Sequence, residues 1–354
     1  MVRVMESVLT EDLRELAESS LPIEEFQDST FLITGATGLV GSLLVRALLT
    51  CNRVHHLNLR VLAVVRNVEK ARGIFGETES ALEYVTADLA TDELEIEEKI
   101  DYVVHAAAVT TSRLMVEDPV GTIRTATHGT ETVLQLAAEK AVRSCVYLSS
   151  MEVYGQPMSS GKTTEKDLGY VDPGAVRSCY PEGKRMCECL CTAYAAQYGL
   201  NVKIARLAQT FGAGILPGEN RVFAQFARSV LRGTDIVLHT DGASEGNYVY
   251  TMDAVRAILL LLTTGESGTA YNISNEESHT TIREMAELVA HEIAEDRIRV
   301  VIDIPKDAAA LGYAPPVKLW LDSSRMRSLG WQPEVGLTES YRRLIRWLRE
   351  NGER

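Results

Sequence analysis

A tyrosine and a lysine stand four residues apart in the segment Ser178-Cys-Tyr-Pro-Glu-Gly-Lys184. On a helix this spacing places the phenol of Tyr180 and the ammonium of Lys184 on one face. Because a nearby cation favours phenolate over phenol, we expect Tyr180 to accept a proton near neutral pH. A serine of the upstream segment Leu148-Ser-Ser-Met-Glu-Val-Tyr-Gly155 can hydrogen-bond the same substrate oxygen. The residues predict acid–base chemistry at a hydroxyl or carbonyl group.

A glycine-rich segment lies far upstream of this pair. The apolar residues Phe31 to Thr34 predict a short strand, and Gly35, Gly38 and Gly41 follow it at three-residue spacing before a helical pattern. Glycines let the backbone turn tightly and approach a pyrophosphate, which binds at the helix N-terminus. The spacing differs from the G-x-G-x-x-G fingerprint. We interpret the segment as a dinucleotide-binding turn, with a purely structural turn as the alternative.

Five motifs in this order resemble the extended short-chain dehydrogenase/reductase family of sugar-nucleotide epimerases, dehydratases and decarboxylases. The resemblance covers roughly residues 29 to 350 and rests on the glycine loop, Asp88-Leu89, His105-Ala-Ala-Ala108, Ser-Ser-Met-Glu-Val-Tyr-Gly and Tyr-x-x-x-Lys. It implies that Tyr180 removes a hydroxyl proton while hydride leaves the same carbon, with Ser150 on the substrate oxygen. Lys184 is expected to bond the nicotinamide ribose and to stabilise the phenolate.

The family pattern also implies which residues contact the cofactor, NADP or NAD. NAD-selective relatives usually carry an acid after the second strand, where Arg66 stands here. Because an arginine suits a 2′-phosphate, the sequence slightly favours NADP, with adenine stacking or a solvated arginine as alternatives. Asp88 is expected to accept from the adenine amino group, and Ser149 to line the nicotinamide pocket. The predicted cofactor contacts are Gly35, Thr37, Gly38, Leu39, Val40, Gly41, Arg66, Asn67, Asp88, Leu89, Ala106, Ala107, Ala108, Ser149, Tyr180 and Lys184.

Glu152 is the residue that bears most on the subfamily. Dehydratases and decarboxylases of the family carry Glu here, as a second base or to orient the oxidised sugar, whereas plain 4-epimerases commonly do not. Met151 replaces the Asp acid of the 4,6-dehydratases and cannot protonate a leaving hydroxyl. The segment therefore looks most like the UDP-glucuronate decarboxylases. Gln209 and Arg221 match substrate-binding positions of the family, while Gly246 stands where an arginine usually contacts the diphosphate.

Alternating strand and helix patterns predict an α/β fold with a doubly wound parallel Rossmann sheet and a smaller, mixed α/β C-terminal substrate domain. We expect an N-terminal arm at 1–28, a Rossmann NAD(P)-binding domain at 29–208 to which elements near 234–265 return, and a mostly substrate-binding region at 209–354. Thr10 is the expected cap of a short helix in the arm. Two separate helices are expected near 117–126 and at 130–139, and Thr281 with Glu284 forms a capping box.

Composition narrows the class of partner. The chain has 354 residues and a formal net charge of −13, which argues against nucleic acid or an anionic membrane. No signal-peptide core or membrane-length apolar run is evident, so a cytoplasmic location is expected. The six cysteines show neither a disulfide framework nor zinc spacing, and no metal is predicted. In the family the helix with the Tyr and Lys pairs with its partner's copy, which implies a homodimer.

The motifs leave more than one function open. The leading hypothesis is an NAD(P)-dependent enzyme that oxidises a nucleotide-sugar hydroxyl and then epimerises, decarboxylates or rearranges the keto sugar. The alternative is a simple NADPH-dependent reductase or dehydrogenase of a non-nucleotide carbonyl or alcohol, which Arg66 and Gly246 favour. A dinucleotide-sensing protein without activity is disfavoured by the intact Ser150, Tyr180 and Lys184.

Overall fold

A computed structural model describes residues 6–76, 79–157, 161–305 and 317–353 of the chain. Residues 1–5 of the expected arm and 306–316 of the expected substrate-binding region lie outside the described residues.

Within the described residues, seven strands form one parallel sheet in the order β3-β2-β1-β4-β5-β6-β10. Its central strands are apolar runs because helices cover both faces, and Phe31, Leu32 and Ile33 are fully buried. Strand order reverses between β1 and β4, where doubly wound sheets bind their ligands. These strands are β1 Thr30–Thr34, β2 Arg60–Val65, β3 Leu82–Thr86, β4 Tyr102–His105, β5 Ser144–Ser150, β6 Val202–Leu207 and β10 Ala270–Ile273.

The helices of the described residues pack on both faces of this sheet and on the C-terminal region. None of them has the length and apolar character needed to cross a bilayer. They are α1 Val8–Ala17, α2 Leu39–His55, α3 Val68–Phe75, α4 Ser112–Glu117, α5 Pro119–Glu139, α6 Cys179–Tyr198, α7 Val222–Arg232, α8 Thr251–Thr263, α9 Ile282–Leu288, α10 Ser324–Arg327 and α11 Leu337–Glu350.

Helix α5 corrects one sequence expectation. The two helices predicted near 117–126 and at 130–139 are one continuous helix. Gly129 in its middle lowers helix propensity, but a Cβ there would lie 3.1 Å from Leu89. The glycine therefore permits close approach to the loop after β3, and tertiary packing outweighs local propensity.

The N-terminal arm packs on the body of the same chain. Ser7, and not the predicted Thr10, caps α1 by accepting the Thr10 backbone N–H at 3.2 Å. The apolar side of α1 is buried against α2, α8 and α11, and Leu16 is only 1% exposed. Thr10 instead lies in the first turn of α1, where its backbone N–H donates to the Ser7 hydroxyl oxygen.

The C-terminal half contributes to more than one layer. Helix α8 packs against β5 and β6, and β10 pairs with β6 at the sheet edge, beyond the segments predicted to return. The Thr281–Glu284 capping box is present, and α9 continues into a π-helical turn at Val289–Ile293. The remaining strands form two small sheets: β7 Gln209–Phe211 with β9 Glu245–Tyr250 and β11 Asn275–Thr281, and β8 Ile236–Leu238 with β12 Val300–Ile302.

All six cysteines are free thiols, and only Cys189 is exposed. Cys187 and Cys191 are fully buried in the apolar cluster between the sheet and helices α5 and α6. They act as small apolar packing residues, as the sequence indicated.

Candidate active site

The glycine turn lies between β1 and α2, directly against the end of β4. Gly35 has a φ of +63°, and a Cβ there would come within 2.7 Å of the Ala106 carbonyl group and the Ala107 nitrogen. A Cβ at Gly41 would lie 2.2 Å from the Gly35 oxygen. Both positions therefore exclude any side chain, because the turn and the helix that follows share one tight space.

The N-terminus of α2 fits a pyrophosphate. Gly38 is the N-cap residue and no side chain caps the helix, so its first-turn N–H groups face the crevice at the switch point. The dipole of this 17-residue helix adds positive potential at the same end. Leu39 and Val40 form the first helical turn, as expected of backbone donors to a phosphate. The predicted cofactor residues of this turn are thus brought together.

A buried hydrogen-bond chain behind the turn was not anticipated from the sequence. Thr34 Oγ1 accepts the N–H groups of Ala106 and Ala107 at 3.1 and 3.2 Å, and lies 2.7 Å from His105 Nδ1. The hydroxyl proton is therefore donated to Nδ1, and the other ring nitrogen donates to Thr130 Oγ1 at 3.1 Å. Burial lowers the pKa of His105 to about 3, so the ring is neutral and fixes the β1 and β4 ends.

The predicted adenosine-binding residues follow β2 and β3. Arg66 is exposed immediately after β2, and Asn67 caps α3 by accepting the Lys70 N–H at 2.9 Å. Asp88 is half-buried, and its Oδ1 accepts the Ala90 N–H at 3.1 Å. Within the described residues, Oδ2 is the Asp88 atom that remains for an adenine amino group. These residues lie along one edge of the crevice.

Ser150 and Tyr180 meet at the carboxyl end of β5. Ser150 is the last residue of β5 and accepts the Glu152 N–H at 3.2 Å, which opens a 3₁₀ turn at Met151–Tyr154. Tyr180 lies in the first turn of α6 and is 9% exposed; burial raises the pKa of its phenol, and the nearby Ser150 hydroxyl acts in the opposite direction. Pro181 is tolerated beside it because the first turn needs no donor. The end of β5 and the start of α6 thus bring Ser150 and Tyr180 close to each other.

The protonation of Tyr180 differs from the sequence expectation. Burial, and then the charge of Glu152, raise its pKa to about 12 in the ligand-free protein, although Ser150, Arg177 and Arg221 act in the opposite direction. Lys184 does not rank among these influences: its Nζ lies 5.9 Å from the Tyr180 ring centroid. The phenol is therefore protonated at neutral pH in this state, because desolvation outweighs the nearby cations.

Lys184 is itself buried, one helical turn after Tyr180. Its Nζ donates to the Leu148 carbonyl at 2.6 Å and lies 4.7 Å from the centre of the Tyr147 ring. Burial lowers its pKa to about 8. An ammonium has three N–H donors, so this contact fixes the side chain while leaving donors for a ribose hydroxyl.

Glu152 forms an ion pair with Arg177 beside the Tyr180 ring. Its two carboxylate oxygens lie 3.1 and 3.0 Å from one guanidinium nitrogen of Arg177. The Arg177 guanidinium carbon in turn lies 5.7 Å from the Tyr180 ring centroid. Both charged side chains are about one-third exposed and face the space beside the phenol. Met151 adds no acid to this set.

The hydroxyl of Ser149 lies in a buried hydrogen-bond network. Its hydroxyl donates to Glu188 Oε1 at 2.5 Å, and Glu188 forms a bidentate pair with Arg206 at 2.9 and 2.6 Å. The hydroxyl proton is thus committed to this network and Ser149 is 4% exposed, while its expected place beside the nicotinamide stays a prediction. Glu188 and Arg206 were missed, although Glu188 follows Lys184 by four residues on α6.

The two predicted substrate-binding residues, Arg221 and Gln209, have different surroundings. Arg221 directly precedes α7 and is paired with Glu219 at 2.6 Å, and its positive charge opposes the larger effect of burial, which raises the pKa of Tyr180. Gln209 begins β7 and is half-buried beside Tyr248 of β9. At Gly246 a Cβ would meet no atom within 4 Å, so the space of the usual arginine is open.

Comparison with known proteins identifies the family of this chain. The sequence model described as the NAD dependent epimerase/dehydratase family matches residues 31–274. The chain is 32% identical over 312 residues to UDP-glucuronic acid decarboxylase 6 of Arabidopsis thaliana, covering 87% of this chain and 85% of that protein. The chain therefore belongs to the NAD dependent epimerase/dehydratase family, and the resemblance seen in the motifs is confirmed.

Solved structures agree on the architecture. A dTDP-glucose 4,6-dehydratase of Streptomyces venezuelae with NAD bound aligns at a TM-score of 0.71 and 26% identity, over 91% of this chain and 97% of that one. UDP-glucose 4-epimerase of Thermotoga maritima with UDP-glucose aligns at 0.74 and 23% identity, over 91% and 99%. The predicted Rossmann-like α/β fold is confirmed.

Proposed function

We propose that this enzyme oxidises a hydroxyl of a nucleotide-linked hexuronate and then decarboxylates the keto sugar. The observation that carries the proposal is the Glu152–Arg177 pair beside Tyr180, at oxygen–nitrogen distances of 3.0 and 3.1 Å. A carboxylate and a cation adjoin the base there, which is more than a simple hydride transfer needs. The 32% identity to a UDP-glucuronic acid decarboxylase supports the same substrate class.

The oxidation step uses Tyr180 and Ser150. In this step Ser150 donates a hydrogen bond to the substrate oxygen while Tyr180 takes its proton. Bound NAD(P) supplies the hydride acceptor. Because burial raises the pKa of Tyr180 to about 12, the base needs a further cation, and Lys184 is the residue placed to act once a ribose connects it to the phenol. The glycine turn and the uncapped α2 hold the pyrophosphate.

The second step follows from the position of the new ketone. A ketone at C4 of a hexuronate lies β to the C6 carboxylate, so the C5–C6 bond can break with release of carbon dioxide. Its electron pair forms an enolate, whose oxygen Tyr180 and Ser150 stabilise as donors. Arg177 and Arg221 supply positive charge for the substrate carboxylate and the diphosphate. Glu152 orients the ring and passes a proton from solvent to C5, after which the hydride returns to C4 and the Tyr180 proton returns to the C4 oxygen.

Arg66 and Gly246 favour the second candidate, an NADPH-dependent reductase of a non-nucleotide carbonyl. Arg66 is exposed after β2, in reach of a 2′-phosphate, and the space beside Gly246 lacks the usual diphosphate-binding side chain. The two functions differ in their cofactor balance. A decarboxylase recycles its nicotinamide, whereas a reductase consumes one per turnover.

The test is a Glu152→Gln substitution with UDP-glucuronate as substrate. The amide keeps the size of Glu152 but cannot accept a proton, so reduced nicotinamide should accumulate after oxidation and be visible by its near-ultraviolet absorbance in stopped flow. Met151→Leu is the matched control, because it changes the neighbouring residue without a titrating group. Full turnover by Glu152→Gln without a transient would assign Glu152 a structural role and favour an epimerase or reductase.

A further inference from the structure

The N-terminal arm carries a buried carboxylate that reaches the core of the protein. Asp12 of α1 is 1% exposed, although most of its neighbours along the helix face are apolar. One carboxylate oxygen accepts the hydroxyl proton of Tyr250, and the other pairs with Arg343 of α11. The Arg343 guanidinium carbon also lies 5.7 Å from the Tyr250 ring centroid. A buried charge with two partners indicates a specific link rather than general packing.

Tyr250 passes this link to the segment that follows β7. Its hydroxyl oxygen accepts the Ala213 N–H at 3.4 Å, and the neighbouring Thr251 donates to the Ala213 carbonyl at 2.9 Å. At Gly212, whose φ is +150°, a Cβ would lie 2.2 Å from the Tyr250 ring. Both polar groups of Ala213 are thus bound by the junction of β9 and α8, and the ring fixes the residue before it.

Helix α11 contacts both the segment that follows β7 and the N-terminal arm. Trp347 Nε1 donates to the Ile215 carbonyl at 3.2 Å. Arg346 pairs with Glu11 at 2.5 Å, and Glu350 accepts the Val8 N–H at 3.1 Å. The arm and α11 therefore form one support beneath residues 212–215, which are the first part of the chain leading to Arg221.

We propose that the arm is a positioning element for residues 212–221, with Asp12 acting through Tyr250 to hold the segment that ends at Arg221. Arg221 stands at the end of this segment as the N-cap residue of α7. The step from loop position to substrate affinity rests on the proposed function, in which Arg221 meets the nucleotide sugar. The loop position itself does not depend on the identity of the substrate.

Hydrogen exchange of the purified full-length protein tests the link directly. Asp12→Leu removes both polar contacts, and Tyr250→Phe removes only the hydroxyl that joins the arm to Ala213. We expect exchange in residues 212–221 to rise about tenfold in both variants, as for the loss of one hydrogen bond. Asp12→Asn keeps an oxygen for Tyr250 and should restore most of the protection. Arg14→Gln is the matched control on α1, because its pair with Glu6 is exposed.

Kinetics separate positioning from loss of structure. With UDP-glucuronate, Tyr250→Phe should raise KM about tenfold while kcat and NAD affinity stay within about twofold. Unchanged exchange in residues 212–221 in folded Tyr250→Phe would overturn the proposal, as would raised exchange with an unchanged KM. If exchange rises in the variants but the wild-type protein does not bind the nucleotide sugar, the proposed support of residues 212–221 is retained and the proposed function is wrong. If Asp12→Leu does not fold, Tyr250→Phe carries the test.

Discussion

Glu152 and Arg177 hold each other beside the phenol of Tyr180, with both carboxylate oxygens within 3.1 Å of one guanidinium nitrogen. The two side chains act on Tyr180 in opposite directions: the negative charge of Glu152 raises the phenol pKa and the positive charge of Arg177 lowers it. Burial is the larger cause of the raised Tyr180 pKa, and the pair adds two opposing influences to the basicity of this proposed proton acceptor.

This balance predicts opposite pH profiles for two conservative variants. Removing the charge of Glu152 in Glu152→Gln lowers the pKa of Tyr180, so the rate of the oxidation half-reaction should begin its rise at lower pH than in the wild type. Arg177→Gln removes the cation and should shift the rise to higher pH. Below the pKa the rate increases about tenfold per pH unit, so rapid-mixing measurements from pH 6 to 9 resolve the shift. Equal profiles for both variants would exclude this coupling.

Tyr180→Phe should lower turnover by about three to four orders of magnitude, because the proton acceptor is removed. The ring stays in its buried site, so the melting temperature and NAD affinity should change little. Tyr170→Phe serves as a control, since that tyrosine is exposed. Near-normal activity of Tyr180→Phe would be incompatible with the assigned base.

Arg66 is expected to set cofactor preference. If its guanidinium meets a 2′-phosphate, Arg66→Asp should weaken NADP binding by about 1.5–3 kcal/mol and leave NAD binding nearly unchanged or improved. Isothermal titration of both cofactors against both proteins measures the difference. Arg60→Asp, which removes an exposed arginine at the other end of β2, is the control. If each of the two proteins binds NADP and NAD with equal affinity, the predicted NADP preference is wrong.

Helix α6 carries the predicted homodimer surface, and α5 packs beside it. Met186 and Ile123 are 53% and 43% exposed there, and Ala193 is also exposed, whereas Leu190 and Tyr194 pack partly onto the core. Light scattering at micromolar concentration should give the mass of two chains, and Met186→Glu should shift it toward one. Val54→Glu, on α2, changes an equally apolar exposed residue elsewhere. A monomeric wild type would contradict the prediction.

The sequence was most informative where chemistry requires a residue type at a fixed spacing. Gly35 and Gly41 admit no Cβ, and Tyr180 and Lys184 must share one face of α6, so their local geometry is contained in the motif. The Lys184 contact with the Leu148 carbonyl and the Tyr180 pKa depend on burial, which spacing does not report. Likewise the sequence of the arm does not single out Asp12, and only the fold brings its carboxylate to Tyr250.

Long-range pairing limited the prediction of the second half. The edge strand β10 joins β6 across more than sixty residues of intervening sequence, and its four residues carry no distinctive pattern. Glu188 and Arg206 lie on α6 and β6, and each alone is an ordinary charged residue. Their pairing follows from the packing of α6 on the sheet, which no local signal encodes.

Isotope tracing tests the central claim most directly. The wild-type protein turns over UDP-glucuronate labelled with deuterium at C4, in the presence of a catalytic amount of cofactor. The mass of the sugar product is then measured by mass spectrometry. We predict a UDP-pentose that has lost carbon dioxide and keeps the deuterium, with no net change in nicotinamide absorbance. Transfer of the deuterium into one nicotinamide per sugar, with the carboxylate retained, would contradict the account and identify a simple dehydrogenase.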